Sequence, residues 1–356
     1  MPRRATVKTY LKLVVVLMLI ALLPINLFAA KKKTAKGKKQ PTVGRIFFDL
    51  SHPYQQADAK HYEAYAKELG YQPLTIDGKA NMDVMINAVG DLIAKKVDGI
   101  IVQPLDGSAI AGSVIEAQKA GIPIVVFFEN VRGAKCPYVR INENDIAFKM
   151  GQIAGKKAKE IWPGKPISMG IIGQPEIQYV QEHRTDPFIA GVQDAVPGAK
   201  VAALLNGKGA RDSSLIVAED LLQSHPEVNI VYGINADSAL GALAAFQAAG
   251  RGKAKNGIPI TEIVVSIDGS TPECQEIVNP NSALKLAMAL SPKNNARTLM
   301  DTLVKTMKGQ IDPKSDTMID TYDTIINGWT DNIDAIQKFI TEEYFAQVDL
   351  KASMKK

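Results

Sequence analysis

Val97-Asp-Gly-Ile-Ile-Val-Gln-Pro-Leu105 and Ala120-Gly-Ile-Pro-Ile-Val-Val126 decide the fold. Each centres on a short run rich in β-branched residues and bounded by turn signals, and Ala109–Lys119 between them has helical spacing. A strand, a crossover helix and a second strand form a βαβ unit. Strands apolar on both faces belong to a parallel sheet covered by helices on both sides.

The same alternation extends outward. Strands are predicted at Val43–Leu50, Gln72–Ile76, Gly99–Val102 and Pro123–Phe128, with helices near Gln55–Leu69, Met82–Lys95 and Ala109–Lys119. A second series follows, with strands at Ile167–Ile172, Lys200–Leu205, Asn229–Tyr232, Glu262–Ile267 and Leu284–Ala289. Its helices fall near Asp145–Ile161, His183–Ala195, Ser213–Gln223 and Ser238–Ala248. One α/β architecture is repeated, so two Rossmann-like lobes with parallel sheets are expected. Tyr138–Asn142 is a short extended segment between the series, and Thr317–Ile326 returns to strand before a helix at about Asp331–Phe345. That late return predicts a hinge of three crossings. The lobes are expected to be 43–140 with 291–318, and 141–290 with 319–329, followed by a C-terminal helix and tail at 330–356.

The length of 356 residues is ample for two cores. Net charge is +5, but residues 1–40 hold ten Lys or Arg and no acid, leaving 32 bases against 37 acids in the rest. The globular part is mildly acidic, which argues against a nucleic-acid partner.

Arg3, Arg4, Lys8 and Lys12 lead into the apolar run Leu13–Leu23, then Pro24 and Ala29-Ala30. This is the pattern of a secretory signal peptide over residues 1–30, and it predicts export to the periplasm. As one helix, residues 13–30 would span about 27 Å, so a retained membrane anchor is the competing reading, which Pro24 and Asn26 disfavour. Lys31–Gln40 carries six lysines and no large apolar side chain, and residues 31–42 are expected to be a basic, disordered linker. Only Cys136 and Cys274 occur, too few for a disulfide framework or a structural zinc site; both are expected to stay free.

Two polar residues end apolar runs just before a helix or turn: Asn235, ahead of Asp237–Gly250, and Asp268 in Val264-Val-Ser-Ile-Asp-Gly-Ser270. Open α/β sheets bind ligands at such strand ends, so the pair marks a cleft. A helix N-cap is the alternative role for Asn235, and a turn role with Gly269 for Asp268.

With Val97–Leu105, Ala120–Val126, Asn235–Leu243 and Ile267–Ser270 in that order, residues 43–327 resemble the type I periplasmic binding proteins, in their ribose-binding branch. The resemblance implies two lobes closing by hinge motion over a ligand, and delivery of that ligand to an ABC transporter permease. It assigns Asn235 and Asp268 to sugar hydroxyls, a carboxylate being able to accept from two hydroxyls at once. In the first loop the family's aromatic pair becomes His52-Pro-Tyr54-Gln55, which keeps one stacking ring. An acidic residue and Arg after the fourth strand become Phe128-Glu129-Asn130. One arginine position aligns with Glu182, while Arg184 matches its neighbour, and the Gln expected near Leu290-Ser291 is missing. These four changes argue against ribose itself and for another sugar or sugar-like polar molecule.

An enzyme is not expected. Gly207-Lys-Gly-Ala-Arg-Asp-Ser-Ser214 lacks the ending and spacing of a phosphate loop, and neither Gly-x-Ser-x-Gly nor His-Glu-x-x-His occurs. No metal or cofactor is expected, because His52 and His183 have no evident third ligand. The protein is read as a monomer. The alternative function is a membrane-tethered sensor that reports ligand to a chemoreceptor or sensor kinase.

Overall fold

The computed structural model describes residues 40–354, apart from Glu129 and Tyr322. The leader, most of the basic linker and the Glu129 site assignment therefore lie outside the described residues.

The first sheet contains β1 (Thr42–Phe47), β2 (Gln72–Asp77), β3 (Gly99–Val102), β4 (Ile124–Phe127), β5 (Tyr138–Ile141) and β13 (Met318–Thr321), in the order β2-β1-β3-β4-β5-β13. All its pairings are parallel. The second sheet contains β6 (Ser168–Gly173), β7 (Lys200–Asn206), β8 (Ile230–Gly233), β11 (Ile263–Asp268), β12 (Leu284–Ala289) and β14 (Thr324–Asn327), in the order β7-β6-β8-β11-β12-β14. Only β14 runs antiparallel there. Strand order reverses beside β1 in one sheet and beside β6 in the other, which makes two topological switch points.

The first lobe has helices α1 (Pro53–Glu68), α2 (Met82–Ala94) and α3 (Ala111–Lys119). The second has α4 (Glu143–Ile161), α5 (Asp186–Ala195), α6 (Arg211–Ser224), α7 (Ala236–Ala248) and α8 (Thr271–Val278). The inner strands β3, β4, β8, β11 and β12 are buried throughout, including Ser266, Asp268 and Lys285 within their otherwise apolar runs. Successive residues feed opposite faces: Ile101, Val125 and Phe127 join one core cluster, while Ile100, Ile124 and Val126 join another. Helices α4 and α5 cross at glycines, and a Cβ on Gly191 would lie 2.0 Å from the Phe148 carbonyl oxygen. Under β1, Arg45 forms a buried ion pair with Asp58, and its guanidinium lies 4.3 Å from the Phe47 ring centroid.

Some elements were not read from the sequence. The hairpin β9 (Ala254–Lys255) and β10 (Ile258–Pro259) is too short for periodicity to show. Helix α9 (Pro292–Met307) starts with Pro292 in its first turn and Ser291 accepting from the Asn294 amide, a start signal that went unread. It belongs to the first lobe, against α1, β3 and β4.

The chain passes between the sheets after β5, between β12 and α9, and between β13 and β14. Since β13 pairs with β5 through Thr321, the third passage lies at 322–323 and not at the expected 318/319 boundary. Asp323 in that passage accepts a hydrogen bond from the Ser291 amide in the second, at 2.8 Å. Helix α10 (Ile333–Tyr344) packs against α1 and α9 of one lobe and α8 of the other, and the short α11 (Leu350–Ser353) follows.

Candidate ligand-binding cleft

The C-terminal ends of the strands converge on one cavity, whose empty volume, including its open mouth, is about 1070 Å³. The turn after β1 supplies Phe48, Asp49 and His52, the first turn of α1 supplies Tyr54 and Gln55, and Gln103 and Phe128 directly follow β3 and β4. From the second lobe come Gln174 after β6, Lys208 after β7, Asn235 after β8, Asp268 from β11 and Leu290 after β12.

Asp268 is the most constrained of these. Its φ of 107° is one that non-glycine residues rarely adopt. The conformation is held by three hydrogen bonds: its Oδ2 accepts from the Ala236 amide at 3.0 Å, and its carbonyl accepts from Leu290 N at 3.0 Å and the Tyr344 hydroxyl at 2.6 Å. No protein donor reaches Oδ1 among the described residues. Burial pushes the carboxyl up to about 6, against the pull of Arg184.

Phe128 is also strained, with φ 79°, and its ring packs on Phe127 and edge-on to Tyr179 at 5.7 Å. Ala80 and Lys208 also line the cavity with positive φ. Such clustering of backbone strain is typical of ligand sites.

Arg184 lies in a π-helical turn, Gln181–Thr185, ahead of α5. Burial opposes its charge, but Glu143 more than compensates, accepting from Nε at 3.0 Å and Nη2 at 2.6 Å. A third bond from Nη1 reaches the Ile234 carbonyl at 3.0 Å. Arg184 is thus a fixed, largely neutralised donor group. Asn235 caps α7 by accepting from Ser238 N at 2.8 Å, and one of its Nδ2 protons goes to Gly209 O at 2.9 Å. The other Nδ2 proton has no acceptor among the described residues.

In the first lobe, Tyr54 turns its hydroxyl to Asn295 at 2.9 Å and offers the cavity its ring. Gln55 donates to Gln103 at 3.1 Å, and both amides are buried. His52 reaches across the cleft: its Nδ1 is 3.3 Å from Asp237 Oδ2, while Arg211 donates to Asp237 Oδ1 at 3.0 Å. The Asp237 bond raises the His52 pKa above its ordinary value despite burial, with Asp268 and Asp49 adding to it.

Of the ten expected site residues, His52, Tyr54, Gln55, Phe128, Arg184, Asn235 and Asp268 line this cavity, and Glu129 is not described. Asn130 and Glu182 are exposed and absent from the lining; Glu182 accepts instead from Gln178 at 2.5 Å. The cause at Glu182 is the π-helical turn, whose wider winding brings Arg184 to the cleft. Gln103, Gln174 and Lys208 were not singled out. The first two directly follow parallel strands, so the strand-end rule that found Asn235 would have found them.

Among the described residues no group of three or more His, Cys, Asp or Glu is placed to hold a metal ion, and both cysteines are buried and unbridged. No described helix is long and apolar enough to cross a membrane.

A model of the periplasmic binding protein domain matches residues 43–311. The ribose import binding protein of Bacillus subtilis is 27% identical over 223 residues, 62% of this chain and 70% of that protein. Its Escherichia coli counterpart is 26% identical over 281 residues, 78% and 88% respectively. The periplasmic binding component of the arabinose ABC transporter from Shewanella sp. ANA-3, solved with L-arabinofuranose, superimposes with a TM-score of 0.72 at 21% identity, over 88% of this chain and 98% of that one. That structural likeness shows the fold. Because the family match runs from β1 through α9 and takes in both sheets with their converging strand ends, the chain belongs to the periplasmic binding protein family.

Proposed function

We propose that this protein is a non-catalytic receptor that captures a neutral sugar or sugar-like polyol between its lobes in the periplasm and delivers it to the permease of an ABC importer. Asp268 carries the proposal, being a buried carboxylate with one oxygen free of donors among the described residues, set among aromatic and amide groups. Sugars offer hydroxyl donors at their edges and C–H faces that pack on rings such as Phe128 and Tyr54. Charge favours a neutral ligand: Glu143 holds Arg184, and the described lining combines Lys208 with the acidic Asp49 and Asp268. The B. subtilis and E. coli relatives are named for ribose import, in keeping with this class of cargo. Here Gln55 and Gln103 add a hydrogen-bonded amide pair to the same lining as Tyr54, which favours a sugar of different outline.

Native mass spectrometry of freshly purified protein, followed by calorimetry with D-ribose, L-arabinose, hexoses and myo-inositol, tests this. A saccharide adduct and micromolar or tighter binding of one neutral sugar are expected; binding confined to amino acids or organic anions would refute it. Export is checked by fractionation, with mature protein beginning near Lys31 expected in the soluble periplasm and full-length membrane-bound protein the contrary result.

A further inference from the structure

Helix α10 lies beyond residues 43–311 that the family model matches, yet it touches both lobes and the binding loop. On the second lobe, the Tyr344 hydroxyl donates to the Asp268 carbonyl at 2.6 Å, and a Cβ added to Gly269 would lie 3.3 Å from the Phe339 ring. On the first lobe, Glu343 accepts from the Lys293 amide at 2.9 Å, while its carbonyl takes the Nε2 proton of His61 at 2.9 Å. Phe345 ends the helix in the left-handed region at φ 55°, where glycine is usual, and its ring stacks on His61 at 4.4 Å. A bulky residue held there indicates that the position serves the contact with His61.

We infer that α10 is a strap across the hinge that aims the ligand carboxylate, with Tyr344 the positioning residue for Asp268. The ligand part rests on the assignment of Asp268 to the sugar. The backbone at Asp268 is strained, and two of the three bonds holding it meet at its carbonyl. One of those comes from the strap, whose other side is fixed to α1 and α9. Movement between the lobes therefore pulls on the residue that holds the ligand.

The test is Tyr344→Phe, which keeps the ring and removes the donor, alongside the double variant His61→Ala/Glu343→Ala, which removes the Lys293, His61 and Phe345 attachments to the first lobe at residues outside the cleft lining. Hydrogen exchange in the ligand-free full-length protein reads the amides of Ala236, Ser270 and Leu290, which pack around Asp268. Both variants should exchange there about fivefold faster or more with near-native melting, and Tyr344→Phe should weaken the best saccharide of the calorimetric panel by a similar factor. Unchanged exchange in Tyr344→Phe overturns the positioning role, and unchanged exchange in His61→Ala/Glu343→Ala alone overturns the strap. If exchange rises but no saccharide binds even the native protein, the strap stands and the sugar assignment falls.

Discussion

At the scale of single residues, Asp268 combines binding with a cost to stability. Its folded pKa of about 6 lies above the ordinary carboxylate value, so the folded state holds its proton more tightly than the unfolded state does. This group's contribution is therefore greatest below about pH 4 and declines as pH rises through 6. Asp268→Asn removes the buried charge and keeps a residue type that tolerates positive φ. The ligand-free variant should gain about 1–3 kcal/mol at pH 7 in chemical denaturation, while sugar affinity drops about 10- to 100-fold. Loss of stability in ligand-free Asp268→Asn would contradict the account. A ligand hydroxyl prefers the ionised acceptor, so native affinity should also fall as pH is lowered through 6, measured by calorimetry. Arg184→Leu leaves Glu143 buried without its partner and should cost about 3–5 kcal/mol at neutral pH; a variant of native stability would show that Glu143 finds another donor.

At the scale of elements, the α4–α5 crossing depends on backbone-to-backbone approach. Gly151 would place a Cβ 2.2 Å from the Phe188 carbonyl, the counterpart of Gly191 against Phe148. Gly191→Ala must push two helices apart, so its melting midpoint should fall by several degrees or more, whereas Gly112→Ala, with open space around it, should leave the midpoint unchanged or higher. Strands and most helices were legible because a doubly covered strand must be apolar throughout and its return helix must be amphipathic. The π-helical turn was not legible. Arg184 lines the cleft all the same, and what went wrong was Glu182, which was expected in the cleft and is exposed. The same limit applies to α10, whose sequence discloses a helix but not that Tyr344 reaches a carbonyl from β11.

At the scale of the whole molecule, the His52–Asp237 pair joins the two lobes and predicts that closure depends on pH. The raised pKa means that this attraction is complete below about 6.5 and is lost as pH rises through the folded value. Spin labels on the two lobes should report a larger closed fraction at pH 6 than at pH 8, with the difference abolished in His52→Gln; equal pH dependence in that variant would assign the effect elsewhere. The lobes themselves follow from the sequence because one βαβ pattern occurs twice. The order of crossings was also legible, but the place of the third was not, since an unbroken extended run at 317–326 does not show which sheet each half joins.

The bond from the Ser291 amide to Asp323 ties the second crossing to the third. Bending either passage alone would break this partly buried bond, so movement at one is coupled to movement at the other, like two leaves of a hinge sharing a pin.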